Sequence, residues 1–526
     1  MSKIRLKGKR NIPIFLFFAA FAFAILYICT ASSPRYATNP WNDANAFLTV
    51  GKAMANGLTV YKDIFEQKGP LLYLIHALAC FISDTSFTGV YVMQSLTLCV
   101  TAFAAFKIAS LYVGTGWSVA SAVLTCFVTV NSACYYYGDS AEEFCLPFLM
   151  ISIYYFCRYF KNTEQDLPKC SVFFLVGFFA GCVAMIKFTV IGFWFAWAAY
   201  ISLYTLFAKK DFKKAVINAL VFLGGMGAAI VPWIVYFAVK SGLRDFIYTY
   251  FVLNATAYPM TEKLSFFTRL WKPIYIIGTN LTASPAVLIF SGLGMAAFLF
   301  TNIFAEKKLF SRLSVPFVCF LGIYIIYFGI RSYSYYLLPL SVFTVFSFIA
   351  VFFAAEKLIK GKSGKTVSAV VCAVFIVASV ICGNYLNICS TDLPRKGEST
   401  IQTEAVKYIK SHNSDGVILN YGCLDTGIYL AADQLPVFRH FEKQNLLYEK
   451  YSENVDEQNR YINEHLADFV VTVINPEETV EDIYEKNSAL KTDYNVVICK
   501  DFSFSNQNIF KSDYTKTFYL FELKEN

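Results

Sequence analysis

Apolar residues run in long blocks along the first three-quarters of the chain. Polar residues are confined to short breaks between those blocks. A membrane-spanning helix needs ~20 mostly apolar residues. The first such block is 12–30 (IPIFLFFAAFAFAILYICT). Others follow at approximately 90–112, 117–137, 141–160, 171–186, 189–207, 215–239, 283–304, 313–330, 335–354 and 366–388, giving about eleven predicted spans. The segment 70–83 (PLLYLIHALACFIS) is apolar but short, the length of an interfacial helix. From about residue 400 the pattern changes. Residues 401–412, 426–432 and 453–466 read as helices. The β-branched and aromatic runs 468–474, 495–500 and 516–523 read as strands, and 416–421 is a short apolar run closed by Gly422. The expected organisation is a polytopic α-helical membrane domain, residues 1–389, followed by a small α/β domain, residues 390–526.

Composition supports this reading. Hydrophobic residues make up 56% of the 526 and charged residues 16%, against ~45–50% and ~25% in soluble domains. A soluble globular enzyme and a disordered chain are both excluded. The net charge of +8 is no argument for nucleic acid. Residues 390–526 hold 14 Lys and Arg against 23 Asp and Glu, so the basicity belongs to the membrane part. Thirteen of the fifteen cysteines lie before residue 390, mostly inside apolar runs, where Cys acts as a small buried apolar residue. Only a Cys423–Cys499 bridge would be available in the tail. No cysteine or histidine pattern has zinc spacing.

Charge also orients the spans. Lys3, Arg5, Lys7, Lys9 and Arg10 precede the first block, which favours an uncleaved span with a cytoplasmic N-terminus. If 70–83 does not cross, the basic loops 158–170, 208–214, 305–312 and 355–365 all fall inside. If it crosses, they all face outward, against the positive-inside rule. The segment 70–83 is therefore expected along the outer surface, and the C-terminal domain outside. The same topology places Asp43, Asp63, Glu66, Asp84, Asp139, Glu142, Glu143, Asp245 and Glu262 at the outer face. A transport path would need ionisable groups at mid-span instead.

The longest outer loop before the tail, 31–69, carries Asp43 beside Trp41 and Asn42. Residues 44–56 have the spacing of a short amphipathic helix, for which Asp43 could be the N-cap. Tyr61-Lys62-Asp63 follows, and then Lys68-Gly69-Pro70-Leu71-Leu72-Tyr73. This succession resembles the first external loop of bacterial GT-C glycosyltransferases, polytopic enzymes that use polyprenyl-phosphate-linked sugars. That group includes the lipid A aminoarabinose transferases and protein O-mannosyltransferases. Gly69 stands where the family usually has the first proline of a Lys-Pro-Pro-Leu-Tyr-like motif. The similarity extends to Asp139-Ser140-Ala141-Glu142-Glu143, to Met185-Ile186-Lys187-Phe188, and to Arg331-Ser332-Tyr333-Ser334-Tyr335-Tyr336-Leu337-Leu338-Pro339. Tyr335-Tyr336 replaces the family's His-Tyr.

The resemblance implies an inverting glycosyltransferase in a bacterial cell membrane, with its chemistry on the external face. The implied donor is a polyprenyl-phosphate-linked sugar, and the acceptor a glycan, lipid or protein of the envelope. Asp43 matches the family's catalytic aspartate and would act as general base. Lys68, Lys187 and Arg331, with Tyr335 and Tyr336, would bind the donor phosphate. Span-end anchoring is the rival role for those cations, and the aromatic belt for the tyrosines. Asp139, Glu142 and Glu143 would orient the acceptor, bind a divalent cation such as Mg2+ or Mn2+, or cap the helix that starts at 141. The resemblance leaves metal dependence open. The alternative function is a membrane transporter or lipid-linked glycan flippase.

Overall fold

The computed structural model describes residues 2–161, 168–259, 264–305, 309–359, 361–504 and 514–525. Glu262, the side chains of Lys3, Arg5, Lys7, Lys9, Arg10 and Lys362, and parts of the basic loops (162–167, 306–308 and 360) lie outside the described residues. The chain divides into two compact units. The first is Met1–Thr30, Val92–Trp233 and Met260–Thr391; the second is Ala31–Tyr91, Ile234–Pro259 and Asp392–Asn526.

All eleven apolar segments are helical. Among the described residues, seven helices are long and apolar enough to cross a membrane. They become eight if Phe266–Ala283 and Pro285–Phe300, bent by 115° at Ser284, count as one span. The remaining segments fall short for identifiable reasons. Thr115–Val130 and Cys170–Ala184 have 16 and 15 residues. Ala141–Lys161 begins with Glu142 and Glu143 and ends with Arg158 and Lys161. Phe266–Ala283 was not anticipated, because Arg269 and Lys272 interrupt its apolar run. The outermost helices keep apolar faces uncovered. Only 22% of the Ser363–Leu386 window is buried, and Val370, Val374, Val377 and Ile381 point outward. Such a surface suits lipid. The chain is a multi-pass membrane protein.

Within the first unit, helices pack through small residues that let backbones approach. A Cβ at Gly294 would come within 3.1 Å of the Phe343 carbonyl oxygen. The late span starts as a 3-10 helix, Ser334–Thr344, and continues as the α-helix Val345–Leu358.

In the second unit, Pro70–Cys80 is an 11-residue helix. At 1.5 Å per residue it is about 16 Å long, half the hydrocarbon thickness. Gly69 is its N-cap and Pro70 its first residue, where a missing N–H costs nothing. The tail forms a four-stranded sheet from β1 (Ile418–Asn420), β2 (Phe469–Ile474), β3 (Tyr494–Phe504) and β4 (Tyr514–Leu523). The order is β1-β2-β4-β3. The β1 and β2 strands are parallel, and the other pairs antiparallel. A parallel pair needs a crossover, and the chain between β1 and β2 supplies it with the helices Ile428–Ala432 and Glu453–Asn463. Leu419, Val470, Ile474, Phe521 and Ile462 form the core. The helices expected at 401–412, 426–432 and 453–466 and the strands are present, and the sequence reading missed Val480–Lys486. Cys423 and Cys499 are both free thiols, so no bridge joins them.

Candidate active site

Asp43 lies in the first turn of the helix Asn42–Ala55 and is not its N-cap. The helix starts two residues earlier than the sequence implied, and the cap position falls to Trp41, with no side-chain cap bond. Amides hold this entry in place. The Asn39 side chain accepts from the Trp41 N–H at 3.0 Å, and the Asn45 side chain donates to the Asn39 carbonyl at 3.0 Å. The positive end of the helix dipole favours a carboxylate at Asp43. The helix is buried on all faces over residues 44–53, not amphipathic as expected. Gly51 makes this possible. A Cβ there would come within 2.8 Å of the His76 carbonyl carbon on the Pro70–Cys80 helix.

Lys68 is fixed by its own backbone. Its N–H donates to Glu66 Oε2 at 2.8 Å and to the Tyr73 hydroxyl at 2.9 Å. Its carbonyl accepts from the Tyr61 hydroxyl at 2.6 Å. The Lys68 ammonium stands 3.6 Å from Glu66 Oε1 and 5.4 Å from the centre of the Phe47 ring. Burial pushes the Glu66 carboxyl above its ordinary range; Lys68 opposes the shift and Asp43 adds to it. Burial also pushes Glu442 well above the usual carboxylate range, reinforced by the charges of Glu66, Asp425 and Asp43. Glu442 is thus within electrostatic reach of three other carboxylates, Glu66, Asp425 and Asp43. Glu442 is held by the Asp425 N–H at 2.6 Å and the Gln444 amide at 2.5 Å. Nothing along the chain marks Asp425 and Glu442, which are two acids in an acid-rich tail.

In the first unit, Glu142 and Glu143 share one helical turn and have different surroundings. Glu143 accepts from Gln94 at 2.8 Å, from the Tyr135 hydroxyl at 2.9 Å and from the Asp139 N–H at 2.7 Å. Asp139 itself sits in the left-handed region at φ 68°, just after Gly138. Glu142 forms a buried ion pair with Lys187. The Lys187 ammonium lies over the Tyr336 ring, 3.8 Å from its centre, and 5.4 Å from that of Tyr335. Tyr333 stacks on Tyr335 at 5.3 Å and meets Tyr336 at 5.4 Å. Arg331 follows Ile330, a left-handed residue at φ 58°, on the segment leading to these tyrosines.

The structure therefore brings Glu142, Lys187, Tyr335 and Tyr336 together within one unit. In the other it groups Asp43, Glu66 and Lys68. Gln94 and Tyr135 were not singled out from sequence, because each acts through its contact with Glu143 in the folded chain, and Glu66 was named only among the outer-face acids. Among the described residues, no three His, Cys, Asp or Glu side chains are grouped so that they could hold a metal ion.

The fold has solved counterparts. ArnT from Cupriavidus metallidurans in the apo state superposes over 98% of this chain and 98% of its own, at TM-score 0.57 and 9% identity. The archaeal oligosaccharyltransferase AglB from Archaeoglobus fulgidus, in complex with an inhibitory peptide and a dolichol-phosphate, superposes over 99% of this chain and 74% of its own, at TM-score 0.50 and 12% identity. At such identity the likeness is one of fold, and the fold is GT-C. No curated protein sequence matches the chain. A family model does match, over residues 7–390, well over half of the sequence. By that match the chain belongs to the family described as "Putative competence-induced protein Ccs4 N-terminal domain".

Proposed function

We propose that this protein is an inverting membrane glycosyltransferase that moves a sugar from a polyprenyl-phosphate donor to an envelope glycan, glycolipid or protein on the external face. The observation that carries the reading is the frame around Asp43. An acid at a helix N-terminus and a cation at Lys68 are held on a buried, hydrogen-bonded segment of one outer loop. The GT-C fold supports it, as does AglB, whose structure holds a dolichol-phosphate. Fold alone does not assign chemistry; the residues do.

In the proposed step the acceptor hydroxyl attacks the anomeric carbon. The new C–O bond forms as the bond to the phosphate oxygen breaks. The electron pair leaves with the polyprenyl phosphate, and the acceptor proton passes to Asp43. Single displacement inverts the anomeric centre. Lys68, Lys187 and Arg331 are each assigned to the charge that builds on the phosphate. Tyr336 orients Lys187 by its ring face. External placement is supported by the density of basic residues in the loops assigned to the opposite side. The shortness of the Pro70–Cys80 helix supports the same reading.

The decisive experiment is Asp43→Asn, assayed for sugar transfer from a polyprenyl-phosphate donor with the purified full-length protein. Asn keeps size and polarity but removes the base. Transfer should fall roughly 100-fold or more, with thermal stability little changed. Activity within a few-fold of wild type would remove Asp43 from the mechanism.

A further inference from the structure

Within the second unit lies a cavity of about 330 Å3, one of whose lining residues, Gly427, donates its N–H to Asp425 at 2.8 Å. It is at the small end of the ~300–1,000 Å3 usual for ligand sites. One wall is built by pairing two distant stretches of chain. Tyr36 bridges Arg395, the Ala37 N–H donates to the Pro394 carbonyl at 3.0 Å, and the Lys396 N–H donates to the Arg35 carbonyl at 3.0 Å. Segment 85–88, the start of the Ile401–His412 helix and the end of the Ile428–Ala432 helix complete it.

The lining is chemically distinctive. Nine of its twenty residues carry a hydroxyl, among them Ser32, Thr38, Thr85 and Ser86. Two amides, Asn45 and Gln402, add further hydrogen-bonding groups. Only two charged residues line it: Lys396, and Asp433, which is paired with Lys52 at 2.5 Å. Phe87, Leu430 and Ala431 supply apolar surface. One lining group is left without a partner. Ser32 is fully buried, and its Oγ has no hydrogen bond, a cost that a ligand or water would relieve. A wall made mostly of neutral donors and acceptors, with apolar patches, matches an uncharged polyol.

Asn45 fixes where this cavity stands relative to the candidate base. It is two residues after Asp43 on the same helix, so the two side chains point about 200° apart. Gly427, in the left-handed region at φ 84°, brings the tail backbone against Asn45, whose Oδ1 would lie 3.0 Å from a Cβ there. Asp43 and the cavity thus occupy opposite faces of one buried helix.

We infer that this cavity is a saccharide-binding subsite that holds an uncharged sugar unit of the acceptor glycan remote from the bond being made. The assignment to the acceptor rests on the proposed transferase reading; the saccharide chemistry does not. The test uses full-length protein in lipid nanodiscs. Its probes are neutral tetrasaccharides of glucose, galactose, mannose, rhamnose or N-acetylglucosamine, read by saturation-transfer NMR at up to about 10 mM, above the ~1 mM scale of a weak site. At least one probe should bind. Ala431→Trp, which fills the cavity from a partly exposed position, should weaken binding roughly tenfold or more. The pair Thr38→Val and Gln402→Leu should do the same without adding bulk, which guards against misfolding of the tryptophan variant. Asp43→Asn should bind as wild type does. No binding by wild type, or binding indifferent to both cavity variants, overturns the inference whatever the transfer assay gives. Cavity-dependent binding in a protein without transferase activity upholds the saccharide site and overturns only its assignment to an acceptor.

Discussion

The Thr49 hydroxyl donates a 2.6 Å hydrogen bond to Asp425 Oδ2, across 376 positions of sequence. Both groups are buried. This bond, with the Lys52–Asp433 ion pair at 2.5 Å, fastens the Asn42–Ala55 helix to the C-terminal segment. The helix that carries the candidate base is thus part of the same unit as the tail sheet.

Burial pushes the Asp425 carboxyl up to about 6, opposed by the bonds from Thr49, the Gly427 N–H and Asn420. The folded chain therefore keeps this proton to higher pH than the unfolded chain, whose Asp titrates near ~3.9. Its contribution to stability is greatest below about pH 4 and is lost as pH rises through about 6, by about 3 kcal/mol. His440 runs the other way. Burial, with the Arg439 charge, depresses it to about 4, so its contribution is lost as pH falls from ~6.5. The measurement is therefore the difference in melting temperature between wild type and Asp425→Asn across pH 4–7. That difference should shift in favour of the variant as pH rises. A pH-independent difference would show that Asp425 titrates normally.

Lys187 and Glu142 can be separated into structural and functional parts. Lys187→Ala leaves a buried carboxylate unpaired and should destabilise the protein by about 3–5 kcal/mol. Adding Glu142→Gln should restore most of that stability. Transfer should stay low in the stable double variant, because the cation assigned to the phosphate is still missing. Full activity there would reduce the pair to packing.

Lys68 and Arg331 should each weaken donor use when changed to Ala, through the Michaelis constant for the polyprenyl-phosphate donor and the rate together. A loss of roughly 10-fold or more from each is expected on the scale of a charge-assisted contact. Unchanged donor kinetics in both variants would make them membrane anchors.

Topology has its own test. A reporter fused after Asn526 should be external, and one inserted near Lys362 cytoplasmic. An internal Asn526 would move the Asp43 helix to the wrong face and remove the external reading.

The sequence by itself determined the elements whose causes are local. Long apolar blocks became helices because a chain in lipid has to satisfy its backbone internally. The β-branched runs at 468–474 and 516–523 became paired strands. Asp43, Lys68, Glu142 and Lys187 could be singled out as candidates because an acid or cation beside an apolar block stands out. The tertiary structure decided what those groups touch. That Glu142 pairs with Lys187 while its neighbour Glu143 is held by Gln94 and Tyr135 depends on a helix turning successive side chains about 100° apart, toward different partners. That Asp425 and Glu442 join the field of Asp43 depends on contacts hundreds of residues long. The strength of a carboxylate depends on its desolvation and on the charges around it. Those are properties of the packed chain, which no spacing along the sequence encodes.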